Sequence, residues 1–181
     1  MSLRIHICGG ELFDENTQTF IVAKDHTLQL EHSLVSLQKW ESKWNKPFLG
    51  KEEKTYEETI DYIKCMTLTQ NVDPNIYRFV TNEIMTEINK YIDAPMTATT
   101  ISEEQKGKGR GEIVTAEIIY HWMIELNIPF ECKKWHLNQL LMLIKVRNIK
   151  LQPPKKRSKR DIMSRNAALN AARRKQLNTN G

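Results

Sequence analysis

The pattern of apolar and polar positions divides the chain into a short β-type region and a longer helical region. Residues 3–7 alternate apolar and polar side chains, which is the pattern of a half-buried strand. Residues 20–22 and 28–30 repeat β-type patterns, and turn-forming residues occupy 14–17. We therefore expect a small N-terminal β-hairpin or three-strand meander, with Gly9-Gly10 breaking the first strand.

Apolar residues at spacings of three and four predict the helices that follow. Ser33 is a good N-cap, and the helix after it carries four apolar side chains on one face: Leu34, Leu37, Trp40 and Trp44. Thr55 and Glu58 form a capping-box pattern ahead of a second helix. Asp73-Pro74 reads as a cap followed by a first-turn proline.

The clearest amphipathic pattern follows Asp73-Pro74 and predicts one continuous helix that Pro95 ends. Its stripe consists of Ile76, Phe79, Val80, Ile84, Ile88, Tyr91 and Ile92. Polar and glycine-interrupted residues 102–111 predict a loop, and Thr115 opens the next helix. A further helix carries the apolar residues Leu137, Leu140, Leu141 and Ile144.

The predicted fold class is α+β and mainly α: a small β-hairpin or meander, a helical bundle and a basic C-terminal helical tail. We expect one mainly helical domain over residues 1–152, because Pro153-Pro154 ends the bundle. Residues 153–181 then form the tail. Its segment 161–177 is rich in Ala and Arg, which favour helix, but its apolar positions are sparse. We expect that segment to become ordered against a partner.

Charge is distributed unevenly along the 181 residues. Ten of the 27 basic residues and one of the 22 acidic residues lie between Lys150 and Gly181, so this segment carries +9 and the remainder −4. Such tails bind phosphate backbones or acidic protein surfaces. The tail has no aromatic residue on which unpaired bases could stack. Nucleic acid is therefore not the favoured partner.

Candidate chemistry is sparse. Lys108 in the glycine-rich segment 107–111 is followed by Gly109 rather than Ser or Thr, so the segment does not match a Walker phosphate loop. Cys132 and His136 are four residues apart, which could suit a metal pair, but the remaining candidate ligands form no second close pair beyond His6 and Cys8. We expect a buried Cys132 and a surface His136. We predict no enzymatic activity, no cofactor and no metal.

The apolar runs are too short for a transmembrane helix, and no signal peptide is expected at the N-terminus. The three cysteines are widely spaced and do not form a disulfide framework, which is typical of a reducing compartment. The four tryptophans lie in or beside predicted helices, where they can anchor a core or a binding surface.

Several segments resemble the tail assembly chaperones of tailed bacteriophages, a group of small virion-morphogenesis proteins. They are residues 32–49 (HSLVSLQKWESKWNKPFL), 58–66 (ETIDYIKCM), Tyr91-Ile92 with 96–99 (MTAT), and 164–175 (SRNAALNAARRK). The resemblance implies a non-enzymatic protein of the host cytoplasm that transiently binds the tape measure protein. It would keep that protein soluble until the tail tube polymerises.

Contact residues for this partner follow from combining the resemblance with the sequence pattern. Trp40 and Trp44 would supply apolar contacts, and Arg165, Arg173 and Arg174 of the tail would supply charge. The tail-tube protein and a second copy of the chain are further candidate partners, and no membrane is expected. Two other functions stay open: a structural virion protein of the neck, baseplate or tail-completion type, and a nucleic-acid-binding regulator that uses the tail.

Overall fold

The computed structural model describes residues 2–15, 18–101, 113–152 and 159–177. Backbone contacts divide the chain into two units, Met1–Asn148 and Ile149–Gly181. The α+β, mainly α class predicted from the sequence is confirmed. The loop predicted at 102–111 lies outside the described residues, whereas the helix predicted after it lies within them.

The chain begins with four short strands and continues with helices. The strands are β1 (Leu3–Ile7), β2 (Gly10–Asp14), β3 (Thr19–Ala23) and β4 (His26–Leu30). The α-helices are α1 (Leu34–Trp44), α2 (Tyr56–Met66), α3 (Asn82–Asp93), α4 (Ala116–Glu125), α5 (Leu137–Leu151) and α6 (Lys159–Leu177). Two 3₁₀ helices span Pro74–Phe79 and Phe130–Lys134.

The strands form one long antiparallel hairpin rather than a meander. β1 pairs with β4, with Ile5 opposite Leu28, and β2 pairs with β3, with Leu12 opposite Ile21. The pairing register of β2 with β3 continues that of β1 with β4, so β1 and β2 form one arm of the hairpin, and β3 and β4 form the other. The ladder is interrupted at Gly9, where an added Cβ would lie 2.1 Å from the carbonyl oxygen of Ala23. Only glycine permits this approach of the two arms.

The helix caps read from the sequence are confirmed. Thr55 Oγ1 accepts a hydrogen bond from Glu58 N–H at 3.2 Å, and Glu58 Oε2 accepts one from Thr55 N–H at 2.9 Å. Ser33 caps α1 through Ser36 N–H. Asp73 Oδ1 accepts from Asn75 N–H at 2.9 Å ahead of Pro74. Each cap satisfies an amide that the helix itself leaves without a partner.

The single helix predicted over residues 76–92 is wrong, because the backbone breaks at Val80 and Thr81. Val80 is extended and ends the first 3₁₀ helix, and Thr81 is the N-cap of α3. Ile76 and Ile88 are nevertheless both buried in one cluster. The apolar stripe therefore spans two helices that share a core, which periodicity alone reads as one.

Two hydrophobic clusters form the core of the first unit. The first joins β1 and β4 to α2, the first 3₁₀ helix and α3, and the second joins α4, the second 3₁₀ helix and α5. Helix α1 contributes to both: Trp40 lies in the first cluster, whereas Leu34 and Leu37 lie in the second. This helix is therefore shared by the two halves.

A buried carboxylate links α1 to the start of α4. Glu41 is 7% exposed, and its Oε2 accepts a hydrogen bond from Ala116 N–H at 2.7 Å. Its Oε1 accepts one from Phe48 N–H at 2.8 Å. The sequence placed the helix start correctly at Thr115, but the Thr115 side chain makes no cap bond. Glu41 supplies the acceptor from a different helix.

Helix α6 belongs to the second unit. The sequence predicted a helix at 161–177, and the helix spans Lys159–Leu177. The side chains described along it, at 160 and at 163–177, are all exposed.

Candidate partner-binding clefts

The two tryptophans proposed for partner contact occupy different environments. Trp40 is 1% exposed and its indole N–H donates a hydrogen bond to the carbonyl oxygen of Glu58 at 2.8 Å. Trp40 therefore belongs to the core and is not available to a partner. Trp44, one turn later on α1, is half-buried, and the two ring centroids are 6.2 Å apart.

Trp44 is held in place by a buried acid on α2. Its indole N–H donates to Asp61 Oδ2 at 3.0 Å, and Lys43 forms an ion pair with Asp61 Oδ1. Asp61 is 7% exposed. Both carboxylate oxygens of Asp61 are thus engaged by α1, which fixes the Trp44 ring at the edge of an open cleft.

This cleft, which we call the Trp44 cleft, has a volume of about 650 Å³. It lies between α1, α2, the first 3₁₀ helix and β2. Its lining is mostly apolar and consists of Leu12, Lys43, Trp44, Tyr56, Glu57, Ile60, Asp61, Lys64, Tyr77 and Arg78. Three aromatic rings from three different helices therefore line one surface.

Several polar side chains of the Trp44 cleft are engaged with their neighbours. Arg78 Nη1 bonds to Asp14 Oδ2 at 2.7 Å, which ties the 3₁₀ helix to the hairpin. The Lys64 ammonium lies 5.5 Å from the centroid of the Tyr77 ring. These contacts leave aromatic and aliphatic surface as the main contact area for a ligand. Such a lining favours apolar contacts over convergent polar recognition.

A second cleft lies on the other side of Tyr56 and has a volume of about 460 Å³. We call it the Phe48 cleft; it is lined by Phe48, Lys54, Tyr56, Thr59, Tyr62, Met85, Asn89 and Ile92. The Phe48 and Tyr62 rings stack with centroids 3.9 Å apart. The Lys54 ammonium lies 4.3 Å from the Phe48 ring centroid, and burial lowers the pKa of Lys54.

Tyr56 lines both clefts and is 63% exposed. It is the first residue of α2 and continues the apolar stripe of Ile60 and Ile63 beyond the core. Tyr56 and Tyr77 are not among the contact residues predicted from the sequence. For Tyr56, the available signal was an aromatic residue in register with a buried stripe at the first turn of a helix, where the core does not cover it.

The hairpin carries a separate apolar surface. Phe13 and Phe20 are cross-strand partners with ring centroids 5.1 Å apart, and they are 50% and 69% exposed. Val22 lies on the same face and is 57% exposed. Because side chains alternate across a strand, Leu12 lies on the opposite face, toward the Trp44 cleft.

The expected surface position of His136 is wrong, because the ring is 1% exposed. Its Nε2 bonds to the carbonyl oxygen of Tyr91 at 3.0 Å, and Ser33 pairs with it in a β-bridge. Cys132 is buried, as expected. In the described part of the chain, no group of three His, Cys, Asp or Glu side chains is placed to hold a metal ion.

The three tail arginines proposed as contacts, Arg165, Arg173 and Arg174, all lie exposed on α6. They belong to the second unit, whereas Trp44 belongs to the first.

Over the ranges that the structure describes, every helix is too short or too polar to cross a bilayer.

Comparison of the chain with protein-family models, with curated proteins and with solved structures finds no match. The geometry of the clefts and of α6 therefore carries the functional inference.

Proposed function

We propose that this protein is a tail assembly chaperone that covers apolar helical faces of the tape measure protein until the tail tube polymerises. The observation that carries the proposal is the pair of mostly apolar clefts on either side of Tyr56. An amphipathic helix binds by laying its apolar face into such a groove. The segments that resemble tail assembly chaperones supply the identity of the partner.

The composition of the clefts suits a partner that must later leave. The Trp44 cleft offers the half-buried Trp44 ring and the exposed Tyr56 ring to a partner, and its charged groups Asp61 and Arg78 are already paired within the protein. A binding helix would therefore gain mainly apolar contact there. Contacts of this kind are distributed and individually modest, which permits displacement by a polymerising tube.

Co-expression with the tape measure protein of the same phage tests the proposal. The tape measure protein is expected in the soluble fraction with this chain and in the insoluble fraction without it. Equal solubility in both cases would contradict the proposal.

Two exposed aromatic residues provide a matched pair of variants. Tyr56→Ala removes the ring shared by both clefts and is expected to weaken binding about tenfold or more, since aromatic anchors dominate interface energies. Phe130→Ala removes a 50% exposed ring that lies outside both clefts and is expected to bind as the parent does. Equal binding by the two variants would show that the clefts are not the contact surface.

Mass spectrometry of purified virions separates this function from that of a structural virion protein. A chaperone is absent from the particle, whereas a neck, baseplate or tail-completion component is present in fixed stoichiometry.

A further inference from the structure

We propose that α6 is a DNA-binding helix that enters the major groove of double-stranded DNA. The proposal does not depend on the chaperone function, because α6 belongs to the second unit and neither cleft includes any of its residues. Its basis is the distribution of charge around a helix whose described side chains are all exposed.

The cations of α6 surround the helix instead of forming one stripe. Successive residues of an α-helix are about 100° apart when viewed down the axis. At that spacing, five exposed cations are distributed around the whole helix, and the widest gap between neighbouring cations is about 100°. They are Arg160, Arg165, Arg173, Arg174 and Lys175.

This arrangement fits a groove with phosphates on both walls better than a flat acidic surface. The major groove of B-DNA is about 12 Å wide and admits an α-helix, so cations on opposite sides of the helix can each meet a phosphate. On the acidic face of a protein, the cations on the far side of α6 would point to solvent. The major groove of A-form RNA is deep and narrow, which excludes the helix.

The residues between the cations allow close approach to the bases. Ser164 and the alanines at 167, 168, 171 and 172 have small side chains, which reduces the diameter of much of the helix. Asn166 and Asn170 are one turn apart, and an asparagine amide can pair with the edge of adenine. The absence of aromatic residues argues against stacking on single strands, but a duplex groove requires no such platform.

Among the described side chains of α6, the large apolar ones do not form an uninterrupted face for a protein groove. Met163, Leu169 and Leu177 lie within an arc that also contains Asn166 and Arg173. A helix that docks into an apolar protein groove needs an uninterrupted apolar stripe at spacings of three and four. Charge contact with phosphates is the remaining recognition chemistry.

Fluorescence anisotropy of a labelled 24-base-pair duplex with the full-length chain, over a salt series, tests the proposal. The parent is expected to bind with an affinity that falls steeply as salt increases. The triple variant Arg173→Gln, Arg174→Gln, Lys175→Gln is expected to bind at least about tenfold more weakly at low salt, and its salt slope is expected to be smaller by about 0.9 per cation removed. Equal binding by the parent and the triple variant would overturn the proposal.

A second pair of variants distinguishes the contribution of helical structure to binding from the contribution of charge. Ala168→Pro keeps every cation but interrupts the helix, and it is expected to bind about tenfold more weakly. Ala168→Ser keeps the helix and is expected to bind as the parent does. If Ala168→Pro binds like Ala168→Ser, a cationic tail of any conformation suffices and groove entry is refuted.

Competition identifies the partner class. Unlabelled duplex DNA is expected to displace the probe at lower concentrations than single-stranded DNA of the same length or poly-glutamate of the same charge. Displacement by poly-glutamate at an equal concentration would assign α6 to an acidic polypeptide, and equal displacement by the single strand would exclude the groove.

Discussion

The imidazole rings of His32 and His136 meet edge to face in the protein interior, with centroids 5.1 Å apart. Their exposed fractions are 2% and 1%. His32 Nδ1 lies 2.6 Å from the hydroxyl oxygen of Tyr62, and His136 Nε2 lies 3.0 Å from the carbonyl oxygen of Tyr91. His32 follows the hairpin and His136 precedes α5, so the contact joins the end of the β-region to the C-terminal half.

This contact predicts that acid destabilises the fold. Burial, and then the neighbouring His136, lower the pKa of His32 to about 3, and burial also lowers the pKa of His136. The unfolded chain binds protons at these histidines near pH 6.5, as a free imidazole does, whereas the folded chain does not. The free energy of unfolding should therefore fall as the pH drops from about 7 to about 4, by at most about 1.4 kcal/mol per pH unit for each histidine.

Urea denaturation at a series of pH values measures this slope. His136→Gln is expected to reduce it, because one proton-binding site is removed while the glutamine amide can still donate to Tyr91. His121→Gln, at a ring in an exposed pair with Glu125, is the control and should keep the parental profile. A free energy of unfolding that is unchanged between pH 7 and pH 5 would contradict the prediction.

The buried carboxylate of Glu41 predicts a second effect on stability. Glu41→Gln leaves an amide NH₂ facing one of two backbone N–H groups, those of Phe48 and Ala116. We expect a loss of about 2 kcal/mol in the free energy of unfolding, since a buried donor then has no acceptor. Urea denaturation measures the loss. Glu117→Gln, at an exposed site on α4, should change stability by less than about 0.5 kcal/mol; similar values for the two variants would refute the linking role of Glu41.

Adjacent glycines in the hairpin predict opposite outcomes. The Cβ of Gly9→Ala would meet the Ala23 carbonyl oxygen at 2.1 Å, and we expect a loss of at least about 2 kcal/mol because backbone must move. The Cβ of Gly10→Ala would lie 3.4 Å from the Phe79 ring, an ordinary contact. Thermal unfolding of both variants compares them, and a Gly9→Ala protein as stable as the Gly10→Ala protein would contradict the described approach of the two arms.

The different exposures of the three cysteines predict that one thiol reacts faster than the other two. Cys8 is exposed, whereas Cys65 is half-buried and Cys132 is buried, and burial raises the pKa of both latter thiols. Thiolate is the reactive form, so Cys8 should react with an aromatic disulfide reagent at least about tenfold faster than the other two. Cys8→Ser should remove the fast phase and leave the slow phases unchanged. A fast phase that survives in Cys8→Ser would disprove the assignment.

Features that depend on residues close in sequence could be predicted from the sequence. The caps at Ser33, Thr55 and Asp73 use partners two or three residues away, and each was read correctly. The position of the α6 helix also followed from local propensity. The hairpin prediction was correct in kind, but the shared register of its two ladders depends on pairing between β1 and β4 that alternation does not specify.

Features that depend on distant residues could not be predicted. The burial of His136 depends on Tyr91, 45 positions earlier. The start of α4 depends on Glu41, 75 positions from the amide that it accepts. Trp40 and Trp44 were both predicted as contacts. Their spacing of four on one stripe could not show that Trp40 is buried while Trp44 lies at a cleft. That difference is set by α2, which covers one ring and only borders the other.

The position of α1 between the two clusters limits how the first unit can be truncated. A fragment that ends before α4 would leave Leu34 and Leu37 facing water, and a fragment that begins after α1 would remove Trp40 from beneath α2. Neither half is therefore a self-sufficient module, and the boundary of any minimal stable fragment must enclose both.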